Sequence, residues 1–196
     1  MKLLKILLEQ EKILVPRRIK GRPEKHLKAI QQKIQQYIKD GSKGNLDLHG
    51  TPIKSLPDNL KSVGGNLELG GTSITSLPDN LEYIGGSLHL EASKITTLPN
   101  NLKVGGSVLL SFSAIKSLPD NFKVGKELLL MVTPLTSLPD NLEVGKNLFL
   151  QRTPITSLPH NLKVRGFLAI GDTPLAKNYT EKEIRNLADI GGKIYR

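Results

Sequence analysis

Three polar residues stand at one repeating register of the chain, and their types are those that bind divalent cations. Asp47, Glu68 and His89 each lie between two leucines, and each is separated from the next by 21 residues. His49 and Glu91 follow the first and the third of them by two residues. Carboxylate oxygens and imidazole nitrogens both coordinate such ions. Nothing in the spacing selects a metal, however, and a solvated polar surface explains the same residues, so we expect no metal site.

Residues for covalent or acid–base catalysis are scarce. The chain has no cysteine, and its four histidines, His26, His49, His89 and His160, fall on different parts of the expected surface. Neither a phosphate-binding glycine loop nor a nucleophile elbow occurs. The sequence therefore predicts a protein without enzymatic activity and without a cofactor. The missing cysteines also fit an intracellular or virion setting better than a disulfide-bonded secreted domain.

The polar register belongs to a repeat that fills most of the chain. Leu-Pro steps recur with spacings of 21, 21, 20, 20 and 20 residues, at Pro57, Pro78, Pro99, Pro119, Pro139 and Pro159. Each repeat begins with two apolar residues separated by one other, and this period of two predicts a short strand with one buried face. The chain returns to the next strand within about 17 residues, so adjacent strands must be parallel and the chain must coil as a solenoid.

Other repeated residues have structural explanations. The pairs Gly64-Gly65, Gly85-Gly86 and Gly105-Gly106 precede strands and predict positive φ at the turns. A hydroxyl residue follows each strand and predicts a ladder that satisfies turn backbone groups, through Thr51, Thr72, Ser93, Ser113, Thr133, Thr153 and Thr173. Asparagine recurs as strictly, at Asn59, Asn80, Asn101, Asn121, Asn141 and Asn161. A residue that every coil requires is architectural rather than catalytic.

Both ends of a solenoid expose apolar residues that must be covered. Residues 24–39 have apolar residues at helical spacing, which predicts a capping helix. Thr180 and Glu183 form a capping box for a second helix, and "GGKIYR" resembles a last strand built around Ile194. We therefore divide the chain into a basic amphipathic N-terminal arm (1–22), a helical cap (23–43), a repeat array (44–175) and a C-terminal cap of helix plus last strand (176–196).

The repeats resemble leucine-rich repeats of the short bacterial type, L-x-L-x-x-N-x-L-x-x-L-P, with Thr or Ser here in place of Asn. The segments "ILVPRR", "IQQYIKDGSKGNLDL", "TPITSLP" and "TPLAKNYTEKEIR" are similar to small leucine-rich repeat proteins encoded by bacteriophages, marine phages especially. The resemblance implies a right-handed leucine-rich repeat solenoid with a parallel β-sheet on the concave face and α-helical caps at both ends. It implies no activity. We expect a location in the host cytoplasm or a virion, because no cleavage site follows the first apolar residues.

The outward residue of each strand changes character along the array. After His89 the same register is apolar, and further apolar residues flank it. With strands about 4.8 Å apart, these side chains form one exposed patch of a kind that marks interaction sites. We therefore expect binding of a protein partner or a second copy, or else coverage of the patch by residues 1–15 of the same chain. The candidate residues are Leu109, Leu129, Met131, Phe149 and Phe167, with Phe112 and Val132 at the edge.

Most of the net positive charge lies near the N-terminus. The net charge of +10 divides into +7 for residues 1–40, with 11 basic and 4 acidic residues, and +3 for residues 41–196, with 17 and 14. An apolar helical face, Leu3, Leu4, Leu7 and Leu8, precedes a basic cluster, Arg17, Arg18, Lys20 and Arg22.

Such an arm fits a helix packed on the cap, an arm docked on another subunit, or binding to nucleic acid or anionic lipid. The alternative function is therefore a nucleic-acid- or capsid-associated binder, although no aromatic residue stands within the basic cluster. The sequence contains no run of about 18 apolar residues, so it predicts no membrane-spanning segment.

Overall fold

The structure is a computed structural model, and it describes residues 22–196. Within this range there are three helices, α1 (Arg22–Lys39), α2 (Pro174–Asn178) and α3 (Glu181–Leu187). The strands are all two residues long. In chain order they are β1 (Leu46–Asp47), β2 (Ser62–Val63), β3 (Leu67–Glu68), β4 (Tyr83–Ile84), β5 (Leu88–His89), β6 (Lys103–Val104), β7 (Val108–Leu109), β8 (Lys123–Val124), β9 (Leu128–Leu129), β10 (Glu143–Val144), β11 (Leu148–Phe149), β12 (Lys163–Val164), β13 (Leu168–Ala169), β14 (Asp189–Ile190) and β15 (Ile194–Tyr195).

These strands form two parallel sheets that run the length of the array. The odd-numbered strands make an eight-stranded sheet, called the first sheet below, and the even-numbered strands make a seven-stranded sheet, called the second sheet. Each strand pairs with the equivalent strand of the next coil, as in the registers Leu46↔Leu67 and Val63↔Ile84. The predicted fold class, a solenoid of 20- and 21-residue leucine-rich repeats with a parallel sheet, is confirmed.

The core lies between the two sheets and the Leu-Pro segments. One coil supplies six apolar side chains, all at most 4% exposed, namely Leu67, Leu69, Ile74, Leu77, Leu81 and Ile84. Each buried aliphatic side chain contributes about 1.5–3 kcal/mol relative to an exposed one. No coil can enclose its own six, however, because each coil is one chain thick. Burial therefore depends on the neighbouring coils.

The second sheet was not expected from the sequence, which indicated only that Val63 and its equivalents point inward. In the structure, each of these valines or isoleucines and the residue before it pair with the equivalent residues of the next coil and form a strand, whose first residue is the more exposed of the two. Each strand of the second sheet has only one inward apolar residue, whereas the repeats of the first sheet have two at a spacing of two, so the second sheet carries too little periodic signal to be recognised in a sequence. It is visible only when the coils are stacked.

The prediction of positive φ at the glycine pairs is wrong. Positive φ among the described glycines occurs at Gly41, Gly44, Gly50 and Gly71. The pairs occupy the corner between the two sheets, where successive coils approach too closely for a side chain. A Cβ on Gly85 would lie 2.3 Å from the carbonyl oxygen of Gly64, and one on Gly86 would lie 2.2 Å from Asn66 Oδ1. Close backbone approach, rather than turn geometry, explains these glycines.

The repeated hydroxyl residues form the predicted ladder. The Thr72 Oγ1 donates to the Leu69 carbonyl at 2.7 Å, and Ser93 and Thr133 make the equivalent bonds at 2.7 and 2.8 Å. The repeated asparagines also bond between coils, and the Asn141 backbone amide donates to Asn161 Oδ1 at 3.1 Å. Both ladders satisfy polar groups of the turns, as an architectural role requires.

Helix α1 covers the N-terminal end of the stack. Ile30 and Ile34 are 6% and 3% exposed against the first coil. The Tyr37 hydroxyl lies 2.8 Å from the Ser42 carbonyl and 3.3 Å from the Gly64 amide nitrogen. Burial raises the pKa of Tyr37, and the hydrogen bond from the Gly64 amide partly offsets this rise. The phenol therefore stays protonated and ties the helix to the first coil.

The C-terminal cap contains α2, α3 and the last strand of each sheet. Ile184 of α3 is fully buried, and Arg185 bonds the Ile190 carbonyl at 3.0 Å. The predicted capping box is present, because the Thr180 amide donates to Glu183 Oε2 at 2.7 Å and the Glu183 amide donates back to Thr180 Oγ1 at 3.3 Å. Ile194 lies in β15, where a last strand was expected.

Gly106→Ala should lower the free energy of unfolding by about 1–3 kcal/mol, the usual range for overpacking. Its Cβ would lie 2.6 Å from the carbonyl carbon and oxygen of Gly86. The matched control is Lys126→Ala, one coil further at the same register, where a Cβ is already present and the change should stay within about 0.5 kcal/mol. Urea unfolding followed by circular dichroism measures both. Equal midpoints for the two variants would contradict the close-approach explanation.

The capping box should make stability depend on pH. Hydrogen bonds from the Thr180 amide and hydroxyl lower the pKa of Glu183. A lowered pKa in the folded state adds stability above the unfolded pKa, and this stability is lost as pH falls through the lowered value. Wild type should therefore exceed Glu183→Gln in thermal midpoint at pH 7, and the difference should shrink by pH 3. A difference that stays constant between the two pH values would show that the carboxylate charge is unimportant.

Candidate protein-binding surface

The outward side chains of the first sheet form one continuous row from coil to coil. The strand registers place them in the order Asp47, Glu68, His89, Leu109, Leu129, Phe149, Ala169 and Tyr195. The row is polar over its first three coils and largely apolar over the rest. Sheet register fixes this arrangement, because each strand repeats the in–out alternation of the strand before it.

The apolar half of the row is a cluster of partly exposed side chains. We define the apolar strip as Leu109, Leu129, Met131, Phe149, Phe167 and Tyr195. The Phe149 and Phe167 rings meet edge to face, with centroids 5.1 Å apart and an interplanar angle of 82°. The Phe167 and Tyr195 rings do the same at 5.2 Å and 90°. Such pairs add about 0.5–1.5 kcal/mol beyond area burial, so the strip is an ordered surface.

The structure brings the predicted residues Leu109, Leu129, Met131, Phe149 and Phe167 together and adds one that the sequence analysis missed. Tyr195 lies in register with Ala169 and is 51% exposed. Ile194 had been recognised as the buried residue of the last strand, and in a strand its neighbour must face outward. The alternation of inward and outward residues in a strand would therefore have predicted that Tyr195 faces outward. Ala169, between Phe149 and Tyr195 in register, is 3% exposed and adds little surface to the strip.

Phe112 and Val132 lie at a register of unusual backbone geometry beside the strip. Phe112 is 64% exposed and Val132 is 39% exposed. Their φ angles are +62° and +56°. The same register has positive φ in seven successive coils, at Gly50, Gly71, Ala92, Phe112, Val132, Arg152 and Asp172.

Positive φ is unfavourable for most residues with a Cβ and least suited to a β-branched residue such as Val132. Glycine is sufficient for the fold at this register, as Gly50 and Gly71 show. Large exposed side chains here therefore cost stability without filling the core. A strained, exposed apolar residue is a candidate for binding rather than for folding.

The polar half of the row contains one compact group. His89 Nδ1 lies 3.3 Å from Glu68 Oε2 and 3.6 Å from Glu91 Oε1, and these contacts are ion pairs only when the imidazole is protonated. Asp47 instead accepts a bond from the His49 backbone amide at 3.0 Å. Among the side chains described, those of residues 25–196, no three from histidines or carboxylates converge in a geometry that could hold a metal ion.

The side chains of the candidate anion-binding residues fall outside the part of the chain that the structure describes. Arg17, Arg18 and Lys20 lie outside the described residues. Arg22 is the first residue of α1, and its side chain is also outside the described set. Across the described part of the chain, no helix is both long and apolar enough to cross a membrane.

The outward face of the second sheet differs in character from the strip. Its successive strands present Tyr83, Lys103, Lys123, Glu143 and Lys163 along the lining of an open groove. Lys123 Nζ pairs with Glu143 Oε1 at 3.1 Å, and the two side chains are 66% and 40% exposed. Exposed pairs of this kind contribute about 0–1 kcal/mol. The mixed charges of this face are those of an ordinary solvated surface.

No protein-family model matches this chain, and a comparison with curated proteins finds no similar sequence. The assignment of class therefore rests on the structure alone. Stacked 20- and 21-residue coils with parallel sheets define a leucine-rich-repeat type of β-solenoid.

Val132→Gly should raise the free energy of unfolding by about 0.5–1 kcal/mol. Relief of the left-handed conformation gains about 1–2 kcal/mol, and the added freedom of glycine in the unfolded chain takes back about 0.5–1 kcal/mol. The reverse change, Gly71→Val, should lower the same free energy at the same register. Space is not the cause there, since the nearest atom to an added Cβ is Gly50 Cα at 3.9 Å. Urea unfolding tests both, and a stabilised Gly71→Val would disprove the strain.

Proposed function

We propose that the protein is a non-enzymatic protein-binding module that holds a protein partner on the apolar strip. The main observation behind the proposal is that the last five coils of the first sheet carry apolar side chains on the outward face. Among these side chains, Leu109, Leu129 and Phe149 lie in direct register. The core is already complete without them, because the stacked coils bury the inward residues of every coil. Their apolar character therefore needs another explanation, and binding supplies one.

The composition of the strip suits a protein partner. Aromatic residues and methionine are enriched at the centres of protein interfaces, where they contribute most of the binding energy. Tyr195 also offers a hydroxyl at the exposed end of the strip, which can bond a polar group of the partner. The rigid parallel sheet holds these side chains in fixed positions, so little order is lost on binding.

The sequence resemblance to bacteriophage leucine-rich repeat proteins supports a phage origin for the chain. A partner would then be a second copy, a virion component or a host protein. Function in the host cytoplasm or in the virion belongs to the same proposal. The nucleic-acid- or capsid-associated alternative depends on Arg17, Arg18, Lys20 and Arg22, and no observation on the described residues favours it.

The first test is the mass in solution, by light scattering, of wild type and of Leu129→Asp/Phe149→Asp. A wild-type oligomer that becomes a folded monomer in the variant supports a second copy as the partner. If wild type is a monomer, affinity capture from host cells follows, and the strip variant should lose a bound protein, with affinity lower by at least about a hundredfold for two central contacts.

The matched control is Tyr83→Asp, which also charges an exposed aromatic position but on the second sheet. It should behave as wild type in both measurements. All three proteins should give the same circular dichroism spectrum, since none of these side chains belongs to the core. If the strip variant kept the wild-type mass and the wild-type set of bound proteins, the proposed function would be wrong.

A further inference from the structure

We propose that residues 1–21 of the same chain occupy the apolar strip when no partner is bound. Leu3, Leu4, Leu7 and Leu8 would lie on the strip, and the basic cluster that follows would lie on the polar half of the row. This inference rests on the proposed function, because it makes the segment a competitor for the binding surface. A partner must then displace the segment before it can bind.

The surface has a direction that limits what can cover it. Carboxylates occupy the first three coils, where Asp47 is exposed and the Glu68 and Glu91 side chains are 25% and 35% exposed. The same outward register is apolar in the remaining coils, from Leu109 to Tyr195, and beside it Asn147 Nδ2 donates to the Glu127 carboxylate at 2.8 Å. A complementary segment therefore needs positive charge at one end and large apolar side chains at the other.

Residues 1–21 have this order. The apolar residues come first, and the basic residues Arg17, Arg18 and Lys20 come immediately before α1. Helix α1 packs on the first coil, which is the acidic end of the row. A segment leaving α1 along the first sheet would meet the carboxylates first and the apolar strip afterwards. The order of charges along the segment matches the order along the surface in this direction only.

The distances permit this path. Lys33 of α1 bonds the carbonyl oxygen of Asp47, which sets the helix beside the first strand of the row. Arg22 lies about 16 Å from Lys33 along the helix, at about 1.5 Å per residue. Phe149 lies about 24 Å from Asp47, at about 4.8 Å per strand. The chain from Arg22 to Leu8 can span about 46 Å, which exceeds the sum of about 40 Å.

Occupation by the same molecule is favoured over occupation by a second copy. Tethering gives the segment a local concentration in about the millimolar range, far above that of a free protein in a cell. The consequence is a regulated surface. If the segment covers the strip in nine molecules of ten, the apparent affinity for a partner falls about tenfold, and loss of the apolar contacts of the segment restores it.

The test uses the full chain with a single reporter. The sequence contains no tryptophan, so Leu7→Trp introduces the only indole in the molecule. We expect its fluorescence to show a buried indole, with emission at short wavelength and weak quenching by iodide. Adding Leu129→Asp/Phe149→Asp should move the emission to the wavelength of an indole in water. Adding Tyr83→Asp instead should leave it unchanged.

The electrostatic part of the proposal has its own variant. Glu68→Lys/Glu91→Lys in the Leu7→Trp protein should shift the emission in the same direction as the strip variant, because like charges then face the basic cluster. Salt should reduce the difference between this variant and its parent, since exposed charges are screened. A Glu68→Lys/Glu91→Lys protein that keeps the short-wavelength emission at low salt would contradict the proposed direction of the segment.

Three results would overturn the inference. Emission of a water-exposed indole in the parent protein would show that the segment is not docked. Emission unaffected by the strip substitutions would place it elsewhere. Emission that depends on protein concentration, with a dimeric mass, would assign the contact to a second copy.

These results separate the inference from the proposed function. If the segment fails to dock but the strip variant still loses its partner, only the inference is wrong. If the strip substitutions expose the indole but leave all partner binding intact, the proposed function is wrong.

Discussion

Backbone hydrogen bonding between successive coils is the interaction on which the rest of the structure depends. Each coil of the first sheet donates to the next, as in the bond of 2.8 Å from the Leu69 amide to the His89 carbonyl. The second sheet repeats this pairing at a second place on every coil, as in the bond of 2.8 Å from Gly85 to Val63. Two ladders fix both the spacing and the rotation of the coils. The inward leucines are then aligned in columns, and their burial follows.

The same spacing decides where side chains are allowed. At the corner between the sheets the backbones approach so closely that glycine predominates, and the exceptions, Lys126, Lys146 and Arg165, show that a coil can adjust locally. Beyond the first sheet, the turn requires positive φ in every coil, whether or not the residue is glycine. The outward register of the sheet has neither restriction. The residue type varies most from coil to coil at this outward register, because the stacking of the coils does not depend on the side chain there.

This division explains how a regular fold can carry an irregular surface. The core is nearly identical from coil to coil, while the outward row changes from Asp47 to Phe149 to Tyr195. A partner that spans several coils contacts side chains from successive strands, which are about 20 residues apart in sequence but only about 4.8 Å apart in space. The face therefore has a direction, acidic at the α1 end and apolar at the other. That direction is the basis on which we propose that the N-terminal segment competes for the surface.

The sequence by itself determined the solenoid, its period, the parallel first sheet, and the side of the strand on which Leu109, Leu129 and Phe149 lie. Those features follow from the Leu-Pro spacing and from strict alternation, which are local properties of the chain. Only the tertiary structure decided the second sheet, the reason for Gly85 and Gly86, and the inclusion of Tyr195 in the strip. Each of these depends on contacts between residues about 20 apart or more, because a strand with a single apolar residue or an absent Cβ can be interpreted only beside the next coil.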